Sequence, residues 1–343
     1  MIGSLERIPA NNKTYTFIQG IKEGEVGEGK DLLLTTPLDT WTPEAQGSSA
    51  RVIQGFLRSD SGILKQAAIK LMRSDKVDYA LPLFEEEIQI LAVLYDVQGV
   101  TRLQECGFIQ PEKEMTFSGG EADKGFRALT GKVIRFGNDS AEAFRQTLPE
   151  KVANGWIPYL ALEKRSVQEN LLMLCDAGHT GGNLLPVSDG LKMSIQICDI
   201  LDIAHQRGIV YRDHKILHYY WVASYNGIYI IDWNVAKYYP ENLPQAEIQH
   251  DLVQFGARAL HHILTGRTAP GALPLGPTRP EEIEQAAHRY HAHWTYDDRR
   301  LPKSVKTLLE KALEGGYDRA SQLRMDLLSS LNDLPNQPKH PKD

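Results

Sequence analysis

The stretch Gly208-Ile-Val-Tyr211-Arg212-Asp213-His214-Lys215-Ile-Leu-His218, followed by Gly227-Ile-Tyr-Ile-Ile-Asp232-Trp233-Asn234, decides how this chain is read. It sets one aspartate on a polar loop, a lysine two positions later, and a second aspartate at the end of an apolar run of strand character. Two carboxylates and an ammonium in this order suit phosphoryl transfer. One carboxylate orients an attacking hydroxyl and takes its proton, the ammonium neutralises the transferring group, and the second carboxylate holds a divalent cation. An Arg-Asp pair alone is ordinary surface chemistry, so the weight falls on what lies before and after it.

Upstream, the β-rich runs Arg51-Val-Ile-Gln-Gly-Phe-Leu57 and Gln66-Ala-Ala-Ile-Lys-Leu-Met72 flank the polar Ser59-Asp-Ser-Gly62, which predicts a hairpin. Phe84, Ile88, Leu91 and Tyr95 recur at helical spacing and predict a helix over 81–95. Thr101 to Phe108 and Ile157-Pro-Tyr-Leu-Ala-Leu-Glu163 read as strands. Residues 110–155 between them are polar and glycine-containing, and are expected to form an insertion. Beyond residue 185 the pattern turns helical: Leu191, Ile195, Ile197 and Ile203 make an apolar face over Ser188 to Gln206, and 251–265 and 303–314 behave alike. Strands first and helices later imply an α+β protein with two lobes. Residues 1–40 read as a leader with one hairpin. The ending Pro335-Asn-Gln-Pro-Lys-His-Pro-Lys-Asp343 is expected to be disordered.

Taken in order, these motifs resemble the protein-kinase superfamily, in particular bacterial eukaryotic-like Ser/Thr kinases. There the pair of segments quoted first appears as H-R-D-x-K-x-x-N and D-F-G. Ala67-Ala-Ile-Lys70 is similar to V-A-I-K, and Phe84-Glu-Glu-Glu87-Ile-Gln-Ile-Leu91 to the helix whose glutamate pairs with that lysine. The segment from His250-Asp251 to Gly266-Arg267 looks like the central helix of the second lobe, and Lys311 to Leu323 like its closing segment.

The resemblance covers about 45 to 330 and implies a bilobal, protein-kinase-like fold. Residues 41–163 would be the β-rich N-lobe carrying the 110–155 insertion, 164–332 the helical C-lobe, and 333–343 the tail. It implies ATP as cofactor with Mg²⁺ or Mn²⁺. Lys70 would grip phosphate, oriented by Glu87; Asp213 would be the base and Lys215 its cationic companion; Asp232 would hold metal; Asp251 would brace the loop. Gly47 and Ser48 would touch phosphate, with Val52, Ala68, Leu162, Glu163, Arg165 and Tyr220 around the adenine. Glu85 and Glu86 are expected to be solvated neighbours.

The pattern departs from the family at several places. The glycine-rich loop survives only as Ala45-Gln-Gly47-Ser-Ser-Ala50-Arg-Val52. Tyr211 replaces the usual His and is expected to pack on Trp233, which stands for the Phe of D-F-G, with Leu91 and Leu103 completing the stack. Asn234, in place of that motif's Gly, is expected to cap a turn. His218 occupies the position of the metal-binding Asn, although Mg²⁺ prefers oxygen and imidazole suits softer ions. Its D-x-x-x-x-H spacing is similar to that of lipopolysaccharide core heptose kinases. Tyr219, Tyr220 and Trp221 are bulky for an adenine floor. Asp251 follows Asp232 by only 19 positions, leaving Tyr239-Pro240-Glu241 as a remnant of A-P-E, with Glu241 expected to pair with Arg319. So short a segment lacks a platform for extended peptides. The expected acceptor is a small molecule, a docked folded protein, or the chain itself. A pseudokinase, binding nucleotide or serving as a scaffold without transfer, is the alternative.

Composition narrows the field further. At 343 residues, 42% hydrophobic and 24% charged, the chain can bury a large core, and a net charge of −6 gives no general attraction to nucleic acid or an anionic membrane. Cys106, Cys175 and Cys198 are far apart, without CxxC spacing, which points to a reducing cytoplasm rather than a disulfide framework or zinc site. No window approaches the roughly 18 apolar residues of a membrane span, and no signal peptide is expected. His291 and His293, beside Trp294 and Tyr296, read as a helix-to-loop junction.

Overall fold

Residues of Gln66-Ala-Ala-Ile-Lys-Leu-Met72 point alternately to opposite faces of a sheet, and pairing on both sides decides what each face meets. A computed structural model of the protein describes residues 9–10, 13–14, 17–19, 26–37, 49–58, 64–117, 126–176, 180, 184–267, 269 and 301–334. The chain is a mixed α+β protein of two compact units, Met1–Tyr95 with Thr101–Lys164, and Asp96–Val100 with Arg165–Asp343.

In the first unit, β1 (Pro9–Ala10) and β2 (Lys13–Thr14) pair only with each other. The larger sheet contains β3 (Phe17–Gln19), β4 (Val26–Pro37), β5 (Ala50–Arg58), β6 (Leu64–Met72), β7 (Leu103–Phe117), β8 (Phe126–Gly137) and β9 (Ile157–Glu163). Antiparallel pairings run β5-β6-β9-β7-β8-β4 and return from β4 to β5 through Thr36↔Gln54 and Pro37↔Ile53, so six strands close into a ring. Residues opposite one another in antiparallel strands share a face. One face collects Leu57, Ala67, Ile69, Leu71, Ile109, Val133, Tyr159 and Ala161 into a single buried cluster. It also holds a polar set: the Tyr159 hydroxyl donates to Glu105 Oε1 at 2.5 Å, and Arg135 Nε stands 3.7 Å from the same oxygen. Burial pushes the Tyr159 phenol well above its usual range, with Glu105 adding to the rise, so this hydroxyl stays a donor.

The opposite face places Val52, Lys70 and Leu160 in one cross-strand row and Ala68 beside Leu162 in the next. Helix α1 (Val77–Val93) turns Phe84, Glu87, Ile88 and Leu91 inward, and α2 (Ala141–Ala153) packs Phe144 on Phe108 at 4.6 Å and Phe136 at 5.5 Å between ring centroids.

Several sequence expectations change here. The segment 110–155 contains the second half of β7, all of β8 and α2. Residues 26–37, expected in a leader, form β4 and pair with β8 over ten positions. The helix expected at 81–95 begins earlier and stops at Val93, leaving Tyr95 76% exposed. Glu85 and Glu86 are half-buried. The tail from 335, the 291–296 aromatic and histidine cluster, and the Ser59–Gly62 turn lie outside the described residues.

The second unit is built on α4 (Val187–Gln206), which packs on the helix Ala320–Asn332. Leu191 and Ile197 are buried, Ile195 is half-buried, and Ile203 is exposed, so the apolar face is narrower than its spacing predicts. Short α3 (Leu171–Cys175) precedes it. After it come β10 (Ile209–Val210), the hairpin β11 (Tyr219–Val222) and β12 (Gly227–Ile230), β13 (Lys237–Tyr238) against β10, and a continuous helical run. That run consists of α5 (Gln245–Phe255), one π segment at Gly256–Leu260, and α6 (His261–Thr265). The helix Lys303–Leu313 follows. The three cysteines are buried and free. No helix among the described residues is long and apolar enough to cross a membrane.

Gly208 closes α4 at φ +79° and delivers the chain into β10. A Cβ there would overlap the backbone carbonyl oxygen of Tyr239, whose amide donates to Gly208 O at 2.7 Å. Gly208→Ala therefore combines left-handed strain with a backbone clash. It should cost about 2–4 kcal/mol in urea unfolding; a loss under about 1 kcal/mol would show that this junction yields easily.

Candidate functional site

The loop between β10 and β11 is held from below by one carboxylate. Asp251, on α5 and 2% exposed, accepts from the backbone amides of Tyr211 at 3.1 Å and Arg212 at 2.6 Å, and from His205 Nε2 at 2.8 Å and His214 Nε2 at 2.9 Å. These bonds stabilise Arg212 at φ +65°, a region unfavourable to a side chain. The Arg212 guanidinium is tied to Glu247 at 2.7 Å and to the Tyr239 hydroxyl at 2.9 Å. The expected pair of Glu241 with Arg319 is absent among the described residues; the glutamate that pairs with an arginine here is Glu247, and its partner is Arg212. Burial pushes the Asp251 carboxyl up, but His214 and His205, by charge and hydrogen bonds, outweigh it and hold the group well below the carboxylate range.

With the backbone so fixed, Asp213 follows as a buried residue, 2% exposed. Its Oδ2 accepts from Lys215 Nζ at 2.9 Å. Its Oδ1 has no hydrogen-bond partner, and Arg258 Nη1 stands 3.7 Å from it. A buried carboxylate oxygen in that state is costly unless a proton or cation comes to it. Arg258, 2% exposed on the π segment, was missed in the sequence. The available signal was a lone charge in the apolar run from Leu252 to Leu264.

His218 closes the loop. Its Nδ1 lies 3.0 Å from the Asp213 carbonyl oxygen, which can only accept, so the ring proton sits on Nδ1. The Tyr211 hydroxyl is 3.1 Å from the same nitrogen and donates to Ile231 O at 2.7 Å. Burial lowers the His218 pKa, favouring the neutral ring. Nε2 therefore carries a lone pair, and it lies 3.5 Å from Asp232 Oδ2. Asp232 adopts φ +59°, ψ +66° just before the turn Trp233–Val235, which contains Asn234. One ligand atom from each of Asp213, His218 and Asp232 falls within 4.8 Å of the others, which among the described residues makes a possible cation site. A neutral imidazole whose other nitrogen donates to a carbonyl is the usual state of a metal-bound histidine, so the donor set fits a divalent ion.

Tyr211 packs on Trp233 at 4.8 Å between ring centroids, as expected. It also orients His218 through its hydroxyl, so its role extends beyond packing. Tyr219, expected near the adenine floor, is fully buried, and its hydroxyl bonds His214 Nδ1 at 2.6 Å. Tyr220 and Trp221, the two consecutive central positions of β11, are half-buried between the buried Tyr219 and Val222. Arg165 lays its guanidinium over the Tyr229 ring at 4.1 Å.

In the first unit, Lys70 Nζ and Glu87 Oε2 form an ion pair of 2.8 Å with side chains 4% and 0% exposed. Val52 and Ala68 are half-buried, Leu162 is 7% exposed, and Glu163 ends β9 with its amide donating to Arg102 O. Leu91 is buried and Leu103 half-buried. Gly47 and Ser48 lie outside the described residues.

Two measurements check this reading. Glu87→Ala leaves a buried ammonium and should cost about 3–5 kcal/mol, whereas the double change Lys70→Met with Glu87→Leu should recover most of it; equal losses would contradict the buried pair. Asp251, with its folded pKa depressed, contributes stability that is present above the unfolded value near 3.9 and lost as pH falls through the folded one. Urea midpoints should therefore drop with acid below about pH 4 in the wild type, and Asp251→Asn should be weaker at neutral pH but flatter in that window. No family model and no curated protein matches this chain, so what the site does rests on its own residues.

Proposed function

We propose that the chain is an ATP-dependent phosphotransferase of protein-kinase-like, bilobal architecture, moving the γ-phosphoryl group to a hydroxyl of a protein or small molecule. The observation that carries this reading is the state of Asp213: buried, with Oδ2 held by Lys215 and Oδ1 accepting no hydrogen bond, next to the His218–Asp232 pair. An oxygen so placed can take a proton, while its partner oxygen fixes the side chain's orientation. Asp213 orients the acceptor hydroxyl and removes its proton as the new oxygen–phosphorus bond forms. The bond from the γ-phosphorus to the bridging oxygen breaks, and ADP leaves with that electron pair. Lys215 offsets the charge on the transferring group. A divalent ion held by Asp232 and His218 supplies further neutralisation of the phosphates when bound. Within the first unit, the Lys70–Glu87 pair offers an ammonium suited to phosphate.

The test is incubation of the full chain with γ-labelled ATP and Mg²⁺ or Mn²⁺, followed by detection of label in the protein or in candidate small-molecule alcohols. Asp213→Asn should lower turnover by about 10²–10⁴-fold, the contribution of a positioned base, with circular dichroism unchanged. Equal transfer by both proteins would remove the proposal. Saturable ATP binding without transfer to any acceptor would assign the chain to nucleotide-binding modules instead.

A further inference from the structure

The identity of residue 218 carries an inference about which ion the site takes, and it rests on the reading of Asp232 and His218 as a cation-holding pair. An oxygen-only site accepts Mg²⁺, a small hard ion that demands near-octahedral oxygen coordination and sheds water reluctantly. Imidazole is a borderline donor that serves first-row transition ions. A histidine can stand near such a site for other reasons, so what matters is whether its lone pair is committed elsewhere.

Here the commitments point one way. Nδ1 is occupied as a donor, 3.0 Å from the Asp213 carbonyl oxygen, and the Tyr211 hydroxyl at 3.1 Å shares that proton because its own goes to Ile231 O at 2.7 Å. The ring cannot flip to exchange its nitrogens without losing these contacts. Nε2 is left as the acceptor-type nitrogen, and the carboxylate 3.5 Å away is Asp232. Two acceptors at that separation do not bond to each other unless a proton or cation lies between them. A second observation is independent of the ring: Asp213, a buried carboxylate with one oxygen lacking a hydrogen-bond partner, is the third residue whose ligand atom falls within 4.8 Å of the other two.

We infer that this site selects Mn²⁺ over Mg²⁺ by direct coordination through His218 Nε2, with Asp232 as the oxygen ligand. Nitrogen ligation adds affinity for Mn²⁺ and adds almost none for Mg²⁺, so the selectivity resides in one side chain.

Direct binding tests this without reference to activity. The full-length protein is titrated with MnCl₂ while free aqueous Mn²⁺ is followed by its electron paramagnetic resonance signal, and MgCl₂ is then added as competitor. Mn²⁺ should bind about 10–100-fold more tightly than Mg²⁺, and His218→Asn should erase most of that ratio while leaving Mg²⁺ affinity similar, the range seen when a metal's ligand shell is altered. Electron spin echo envelope modulation of the Mn²⁺-loaded wild type should show ¹⁴N coupling that changes to ¹⁵N coupling after ¹⁵N-histidine labelling, a readout that needs no variant. Because His218 is buried and its replacement can unfold the loop, Asp232→Asn, at a side chain 31% exposed, serves as a second variant and should weaken Mn²⁺ binding. Absence of nitrogen coupling in the wild type, persistence of it in a folded His218→Asn protein, or equal Mn²⁺ and Mg²⁺ affinities would overturn the inference. Nitrogen-coupled Mn²⁺ without transfer from ATP would sink the phosphotransferase reading alone; transfer supported equally by Mg²⁺ without nitrogen coupling would sink the metal inference alone.

Discussion

One carboxylate, that of Asp251, sets the conditions for the rest of the second unit's chemistry. It receives two backbone amides and two imidazoles, so all of its main lone-pair directions are used in a place where water does not reach. A buried anion without such partners would be expelled or protonated. With them it becomes a rigid anchor that ties two parts of the unit together: His205 from the end of α4, and His214 and the two amides from the loop itself. The strain of Arg212 at positive φ is tolerated on this anchor, and Asp213 inherits its position from that backbone.

The stability of the loop and the placement of Asp213 are therefore coupled through the same atoms. Turns of this tightness, with Asp213 N donating to Tyr211 O and Lys215 N to Asp213 O, leave few free torsions between the anchor and the Asp213 carboxylate. What remains adjustable is the side chain, and Lys215 restricts that through Oδ2. The aromatic set of Tyr211, Trp233, Tyr219 and Phe255 packs around His214 and excludes water from the anchor. A low-dielectric surround strengthens each of these bonds and raises the cost of losing any one.

Much of this was legible in the sequence wherever it was local. The hairpin of β5 and β6 followed from two β-rich runs and a polar turn, and α1 followed from its period, with error at its ends because Tyr95 continues the spacing without being buried. Asp213, Lys215 and Asp232 stood out since their order carries a chemical meaning. Contacts between distant positions were legible only where the resemblance implied them, as for Lys70 with Glu87 and Asp251 with the loop. That β4 would close a ring with β8 depends on pairing across about a hundred residues, which no local period encodes. Likewise nothing in the string marks His205 and His214 as partners of Asp251, 46 and 37 positions away. Arg258 had a weak signal, a charge in an apolar helix, but its target was invisible without the π segment that places it.

The same burial explains why a histidine, rather than a further carboxylate, can stand at position 218. The surrounding charges are already two acids, Asp213 and Asp232, against Lys215 and Arg258. A third acid at a position only 4% exposed would add a desolvated charge with no cation of its own when the site is empty of metal. An amide would avoid the charge but offer a weaker oxygen donor. Neutral imidazole supplies a strong donor at no cost in charge, provided its proton has a fixed acceptor, and the Asp213 carbonyl is that acceptor. His218 and Asp213 are thus linked through one backbone oxygen. Any movement of the Asp213 backbone must disturb the orientation of His218, so the two side chains cannot drift apart independently.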